Sequence, residues 1–125
     1  MKKTEFISTA VCDFENAQNI KEITECIISS IDPSKIYLFG SFANGTYTEN
    51  SDYDFYIVID DGKNIHNASF LANKSVRDKM KRPVDIVIGT NSRFQNFSQS
   101  KDSLMIEGEV HRNGILLYDS GGAMN

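Results

Sequence analysis

From Glu15 to Ile31 the chain reads ENAQNIKEITECIISSI, with Ile20, Ile23, Ile27 and Ile31 returning every three or four residues. That spacing lays one apolar stripe along an α-helix. Pro33 closes it, because the residue before a proline avoids the α region. KIYLF, 35–39, is short, apolar and β-prone, and reads as a strand. Gly40-Ser41 breaks that strand and opens a short helix over 41–44, with Ser41 as its cap and Gly45 as its stop. A polar loop, Thr46 to Ser51, then leads into YDFYIVI, 53–59, a second strand.

Asp60-Asp61-Gly62 is a turn signal. Residues 65–80 follow a helical period, with Ile65, Ala68, Leu71 or Ala72, Val76 and Met80 as the predicted buried stripe. Pro83 opens a third strand, VDIVI, 84–88. Residues 91–101 are polar with two phenylalanines, and their pattern assigns no element. A helix is predicted over 103–112, carrying Leu104, Ile106 and Val110, with Gly114 as its stop. ILLY, 115–118, reads as a last short edge strand. The class is α/β or α+β: a small mixed β-sheet covered by helices.

Composition narrows the picture. At 125 residues, 40% hydrophobic and 24% charged, the chain reads as a single domain over 1–125 with an ordinary core. No internal repeat or low-complexity segment divides it. SGGAMN, 120–125, reads as a frayed tail. No apolar run approaches the ~18 residues of a membrane span. The basic start, MKK, leads into no apolar signal core, so the cytoplasm is the expected compartment. Cys12 and Cys26 are too few for a disulfide framework, and Cys26 reads as a small buried hydrophobe. A net charge of −4 argues against bulk nucleic-acid binding. It leaves a nucleotide open, since a bound cation supplies local positive charge.

The chemistry gathers around GSFANGTYTENSDYDFYIVID, 40–60. Residues i and i+2 of a strand share a face, so Asp52 and Asp54 present two carboxylates together. Like charges this close need a cation between them. Asp85, inside the apolar VDIVI, is costly there unless paired or metal-bound. It reaches the same place if the two strands are neighbours. Three carboxylates suit Mg²⁺ or Mn²⁺ rather than zinc. Gly40 allows close backbone approach, and Ser41 opens a turn whose free amides favour phosphate. There is no G-x-x-x-x-G-K-[ST] and no G-x-G-x-x-G, which sets aside the P-loop and the Rossmann fingerprint.

Gly-Ser, ten residues, then Asp-x-Asp on a strand, with a later strand aspartate, resembles the DNA polymerase β-type nucleotidyltransferase superfamily over residues 35–88. The small size is similar to its minimal nucleotidyltransferases, some of which are antitoxins paired with HEPN-domain toxins. The resemblance implies a polymerase β palm-like fold and nucleotidyl transfer from a nucleoside triphosphate, ATP above all, with Mg²⁺ or Mn²⁺ as cofactor. It implies that Gly40 and Ser41 hold the triphosphate, that Asp52 and Asp54 bind both metals, and that Asp85 binds the catalytic metal and serves as general base. It implies a protein acceptor, a HEPN-type partner, modified on a hydroxyl. Many relatives carry an arginine after Gly-Ser; Phe42 and Asn44 stand in those places here. Lys63, Lys74, Arg77, Lys81 and Arg82 are the candidates to replace it.

That departure motivates a second reading, a binding module that neutralises its partner by contact. A third, transfer to a small molecule of aminoglycoside type, lacks a visible acceptor domain. The remaining polar residues read as structural: His66 and His111 have no partner at ligand spacing, Asp60-Asp61 is a solvated turn, and Phe94 and Phe97 are core or partner contacts.

Overall fold

Asp13 starts the first long helix by accepting the Asn16 amide at 2.8 Å, the work of an N-cap. That helix, α1 (Phe14–Ile31), ends where Asp32 turns to a φ of 46° and returns its amide to the Ile28 carbonyl. The computed structural model describes residues 3–4, 12–102 and 104–121. In chain order the elements are β1 (Lys3–Thr4), α1, β2 (Lys35–Phe39), α2 (Ser41–Asn44), β3 (Tyr53–Ile59), α3 (Ile65–Val76), β4 (Val84–Thr90), α4 (Asn91–Phe97), α5 (Ile106–Asn113) and β5 (Ile115–Asp119).

The five strands form one mixed sheet in the order β1-β5-β2-β3-β4. β3 and β4 are parallel, and β2 runs antiparallel to both β3 and β5. The alternation of strand side chains divides the core in two. Ile36, Leu38, Phe55, Ile57 and Ile59 meet Ile20, Ile23 and Ile27 of α1 and Ala68, Ala72 and Val76 of α3. Each fully buried isoleucine is worth roughly 1.5–3 kcal/mol over exposure. On the opposite face Phe39, Tyr56 and Val58 meet Phe94 of α4 and Val110 of α5. β3 is covered on both sides, which is why it reads as a nearly unbroken apolar run.

The strands at 35–39 and 53–59 stand where the pattern placed them, and β4 runs two residues further than 84–88. Other expectations are corrected. α3 stops at Val76 rather than Met80, and Ile65, Leu71 and Met80 are exposed. Only Ala68, Ala72 and Val76 form its buried stripe. Residues 91–97 are helical, capped by Thr90, whose hydroxyl accepts the Arg93 amide. Leu104 is exposed while Val110 is buried; Ser103 lies outside the described residues. β5 is not an edge, because β1 pairs along its free side. Cys26 is half-buried, and it is Cys12 that sits in the core. Ser120 and Gly121, assigned to the tail, are still hydrogen-bonded, to the Ser34 carbonyl and to Asp119. Residues 122–125 and most of the N-terminal segment lie outside the described residues.

Candidate active site

The ladder registers bring the predicted residues to one end of the sheet. Asp54 is opposite Asp85 in the parallel β3–β4 pair and opposite Phe39 in the antiparallel β2–β3 pair. Gly40, immediately after Phe39, therefore lies against Asp54. Its backbone, at φ 75° and ψ −153°, is in a region essentially reserved for glycine. A Cβ there would collide with the Asp54 carboxylate. The amides of Ala43 and Asn44 turn back to the Gly40 carbonyl, which leaves those of Ser41 and Phe42 at the open head of α2. Gly40, rather than Ser41, occupies the N-cap position, and no side chain caps this turn.

The carboxylates are not equivalent. Asp54 is half-buried, and burial pushes its carboxyl up to about 6 from an ordinary 3.8; the charges of Asp85 and Asp52, hydrogen bonding with Asp85, and the charge of Glu109 add to the rise. Asp85 is exposed on the edge strand β4. The burial cost that its apolar flanks suggested is thus carried by Asp54 instead. Asp52 is half-buried and sits one residue ahead of β3. Glu109, on α5, is a fourth carboxylate in the field of Asp54. The sequence offered no signal for it beyond a polar position on an amphipathic helix.

Among the described residues no three His, Cys, Asp or Glu side chains gather closely enough to hold a metal ion by themselves. The Asp54–Asp85 pair fits another mode. Mg²⁺ is commonly held by one or two carboxylates and completed by phosphate oxygens and water. The donors are all oxygen, the two carboxylates lie in each other's field, and the glycine beside them lets the Asp54 carboxylate pack directly against the backbone that opens α2.

The stretch between α2 and β3 is ordered by groups that the sequence left unassigned. Phe42 is fully buried, stacked on Tyr47 with ring centroids 4.2 Å apart and edge-on to Tyr53. Position 42 is therefore a core position. The Arg82 guanidinium lies over the Phe42 ring at 5.2 Å. Of the other cations considered, Lys63 donates to the carbonyls of Ile31 and Asp32, at the end of the sheet away from Asp54. His66 and His111 are exposed, as expected, and Gln99 lies 3.1 Å from the His111 ring.

Residues 21–121 match the family described as polymerase beta, nucleotidyltransferase, and the chain belongs to that family. The fold is similar to that of a candidate nucleotidyltransferase from Sulfolobus solfataricus. That likeness has 20% identity and a TM-score of 0.54, covering 79% of this chain and 76% of the other. It is also similar to a toxin–antitoxin protein solved with AMP-PNP, at 23% identity and a TM-score of 0.59, covering 79% and 72% of the two chains. No curated protein sequence matches the chain. Among the described residues no helix is long and apolar enough to cross a membrane.

Proposed function

We propose that this chain transfers a nucleoside monophosphate, AMP from ATP, to a hydroxyl of a partner protein, as an antitoxin of the minimal nucleotidyltransferase branch acting on a HEPN-type toxin. The observation that carries the reading is the juxtaposition of Asp54 with Asp85 and Gly40. A half-buried carboxylate is pressed against a second one, beside a glycine whose missing side chain lets that carboxylate pack against the head of α2. The family supports the reaction class. The neighbour solved with AMP-PNP as a toxin–antitoxin supports an adenine nucleotide and a protein partner.

In this reading Asp52, Asp54 and Asp85 would supply oxygen ligands to Mg²⁺ whose shell phosphate oxygens and water complete, and the Gly40-Ser41 turn would receive the triphosphate. Bound Mg²⁺ supplies positive charge to the attacking and leaving oxygens. Asp85, on the exposed edge strand, accepts the proton of the acceptor hydroxyl. The hydroxyl oxygen bonds to the α-phosphorus as the bond to pyrophosphate breaks, so one phosphodiester forms and one pyrophosphate leaves. Partial burial of Asp54 raises the strength of its electrostatic contacts, because the local dielectric is low.

The test uses ATP labelled on the α-phosphate, Mg²⁺ and a lysate of the host, with Asp54→Asn as control and γ-labelled ATP in parallel. Transfer of α-label alone, absent from the control, is the expected result, and the labelled protein names the acceptor. Transfer of γ-label means phosphoryl transfer and overturns the reading. No transfer, with the partner bound as tightly by Asp54→Asn as by wild type, favours neutralisation by contact.

A further inference from the structure

We propose that Arg82 is the positioning residue for the loop that delivers Asp52, an inference that rests on the nucleotidyl-transfer reading for its catalytic consequence. The loop from Thr46 to Asp52 is short, polar and largely exposed. Its start is held by Tyr47 stacked on Phe42. Its end has no apolar anchor before Tyr53. Thr48 and Ser51 close the turn on itself, the Thr48 amide donating to Oγ of Ser51 and the Ser51 amide to the Thr48 carbonyl, and one nitrogen ties that turn to the β3–β4 side of the fold. Nη1 of Arg82 donates to the carbonyls of Thr48, Glu49 and Ser51 at 3.0, 2.8 and 3.0 Å. Nε of the same guanidinium donates to Oδ1 of Asn16 at 2.9 Å.

The far anchor is rigid. Asn16 Oδ1 also accepts the Tyr53 hydroxyl at 2.7 Å, and Asn16 is fixed to Asp13 at the head of α1 through its amide and its side chain. Arg82 is followed by Pro83, whose carbonyl accepts the Tyr53 amide at 3.0 Å. Three residues after Arg82 comes Asp85. One side chain thus ties the backbone ending in Asp52 to the segment that opens the Asp85 strand, across the core helix α1. A guanidinium can do this because its donors form a planar fork. A lysine has no Nε branch to engage Asn16 while its head engages the loop. With Nε and Nη1 engaged by protein acceptors, the role assigned to Arg82 is to act through Asp52.

The experiment compares wild type with Arg82→Met and Arg82→Lys. Amide hydrogen exchange is followed over residues 46–53, and binding of Mn²⁺ is measured with and without AMP-PNP. Both substitutions are expected to speed exchange in the loop but not in α1. They should also weaken Mn²⁺ binding about tenfold and lower kcat for α-label transfer about 10- to 100-fold, the scale of a misplaced catalytic group. Lysine is not expected to rescue. Partial unfolding alone lowers the active fraction without moving the Mn²⁺ dissociation constant of the folded molecules. Unchanged loop exchange in Arg82→Met overturns the proposal. So does faster exchange with unchanged Mn²⁺ affinity, which reduces Arg82 to a brace. If the methionine variant does not fold, wild-type loop order in Arg82→Lys overturns it. If wild type itself transfers no label, the proposed function falls, and the exchange and Mn²⁺ arms still decide the role of Arg82.

Discussion

Asp54 and Asp85 stand opposite one another in the parallel register of β3 and β4, and the partly buried member of the pair holds its proton up to about pH 6. Burial and the neighbouring carboxylates favour the neutral form of Asp54 in the folded chain. The folded state therefore binds this proton more tightly than the unfolded state between pH 3.8 and about 6. Stability drawn from Asp54 is greatest below that window and declines as pH rises through it. Asp54→Asn removes the penalty. Without divalent metal, the variant should be more stable than wild type above pH 6, by on the order of 1–3 kcal/mol, with the advantage vanishing towards pH 4. Chemical denaturation at a series of pH values in EDTA checks this. An advantage independent of pH would contradict the electrostatic account.

Gly40 and Gly45 flank the same short helix and separate two costs. Both have positive φ, 75° and 77°, but a Cβ at Gly45 meets nothing within 4 Å. Gly45→Ala should cost about 1–2 kcal/mol, the backbone penalty alone. Gly40→Ala should cost a further 1–3 kcal/mol or so, because its ψ of −153° is less open to alanine than the left-handed α region of Gly45 and its methyl group strikes the Asp54 carboxylate. Urea unfolding of the two variants gives the difference. Gly40→Ala should also abolish label transfer, which Gly45→Ala should leave measurable.

How far the sequence revealed this site depended on the distance over which each residue acts. Strands 35–39 and 53–59 were legible because their apolar runs are local and uninterrupted. Asp52, Asp54 and Asp85 are legible as candidates because their spacing is itself the signal, and the ladder sets Asp54 opposite Asp85. α3 was read too long, because Met80 continues a helical period although the chain leaves the helix after Val76. β5 was mistaken for an edge because its outer partner is only the two-residue β1. In the sequence Arg82 is one of five cations that could replace the missing arginine, and its bracing role is hidden because its acceptors lie more than thirty residues upstream. Glu109 reaches the Asp54 field only through packing of α5 on the sheet.

Tyr56 and Glu107 form a second polar centre, behind the carboxylates on the same sheet face. The Tyr56 hydroxyl donates to Oε2 of Glu107 at 2.6 Å, and Nε of Arg93 donates to the same oxygen at 2.9 Å. Burial, the largest single influence, would raise the Glu107 carboxyl, but these two hydrogen bonds, a backbone hydrogen bond and the charge of Arg93 together outweigh it and hold the group below its ordinary 4.5. Among the described residues Oε1 has no hydrogen-bond partner, so the Tyr56 and Arg93 donors to Oε2 are the main side-chain support of the charge. Tyr56→Phe should cost about 1–3 kcal/mol at neutral pH. A lowered carboxyl contributes stability above its unfolded pKa and loses it as pH falls through the folded value. The cost of Tyr56→Phe should therefore shrink below about pH 4.5, which a denaturation series in acid would register.

Gly89 supplies the closest test of that centre. It is buried on β4, and a Cβ there would collide with the Tyr56 hydroxyl, while the next ring atom, Cζ, lies 3.0 Å away. Gly89→Ala alone should push Tyr56 off Glu107 and cost on the order of 1–3 kcal/mol through overpacking and the strained hydrogen bond. In a Tyr56→Phe background the colliding atom is gone and the hydrogen bond is already lost. The same alanine should then cost markedly less. A double-mutant cycle measured by urea unfolding should give a coupling of about 0.5–3 kcal/mol in the direction of mutual relief. Additive costs would mean that the sheet accommodates the methyl by moving β4, which would also shift Asp85 relative to Asp54. Label transfer by Gly89→Ala separates the two cases: movement confined to Tyr56 leaves the transfer rate within about threefold of wild type, whereas a shift of about 1 Å in β4 lowers it about a hundredfold.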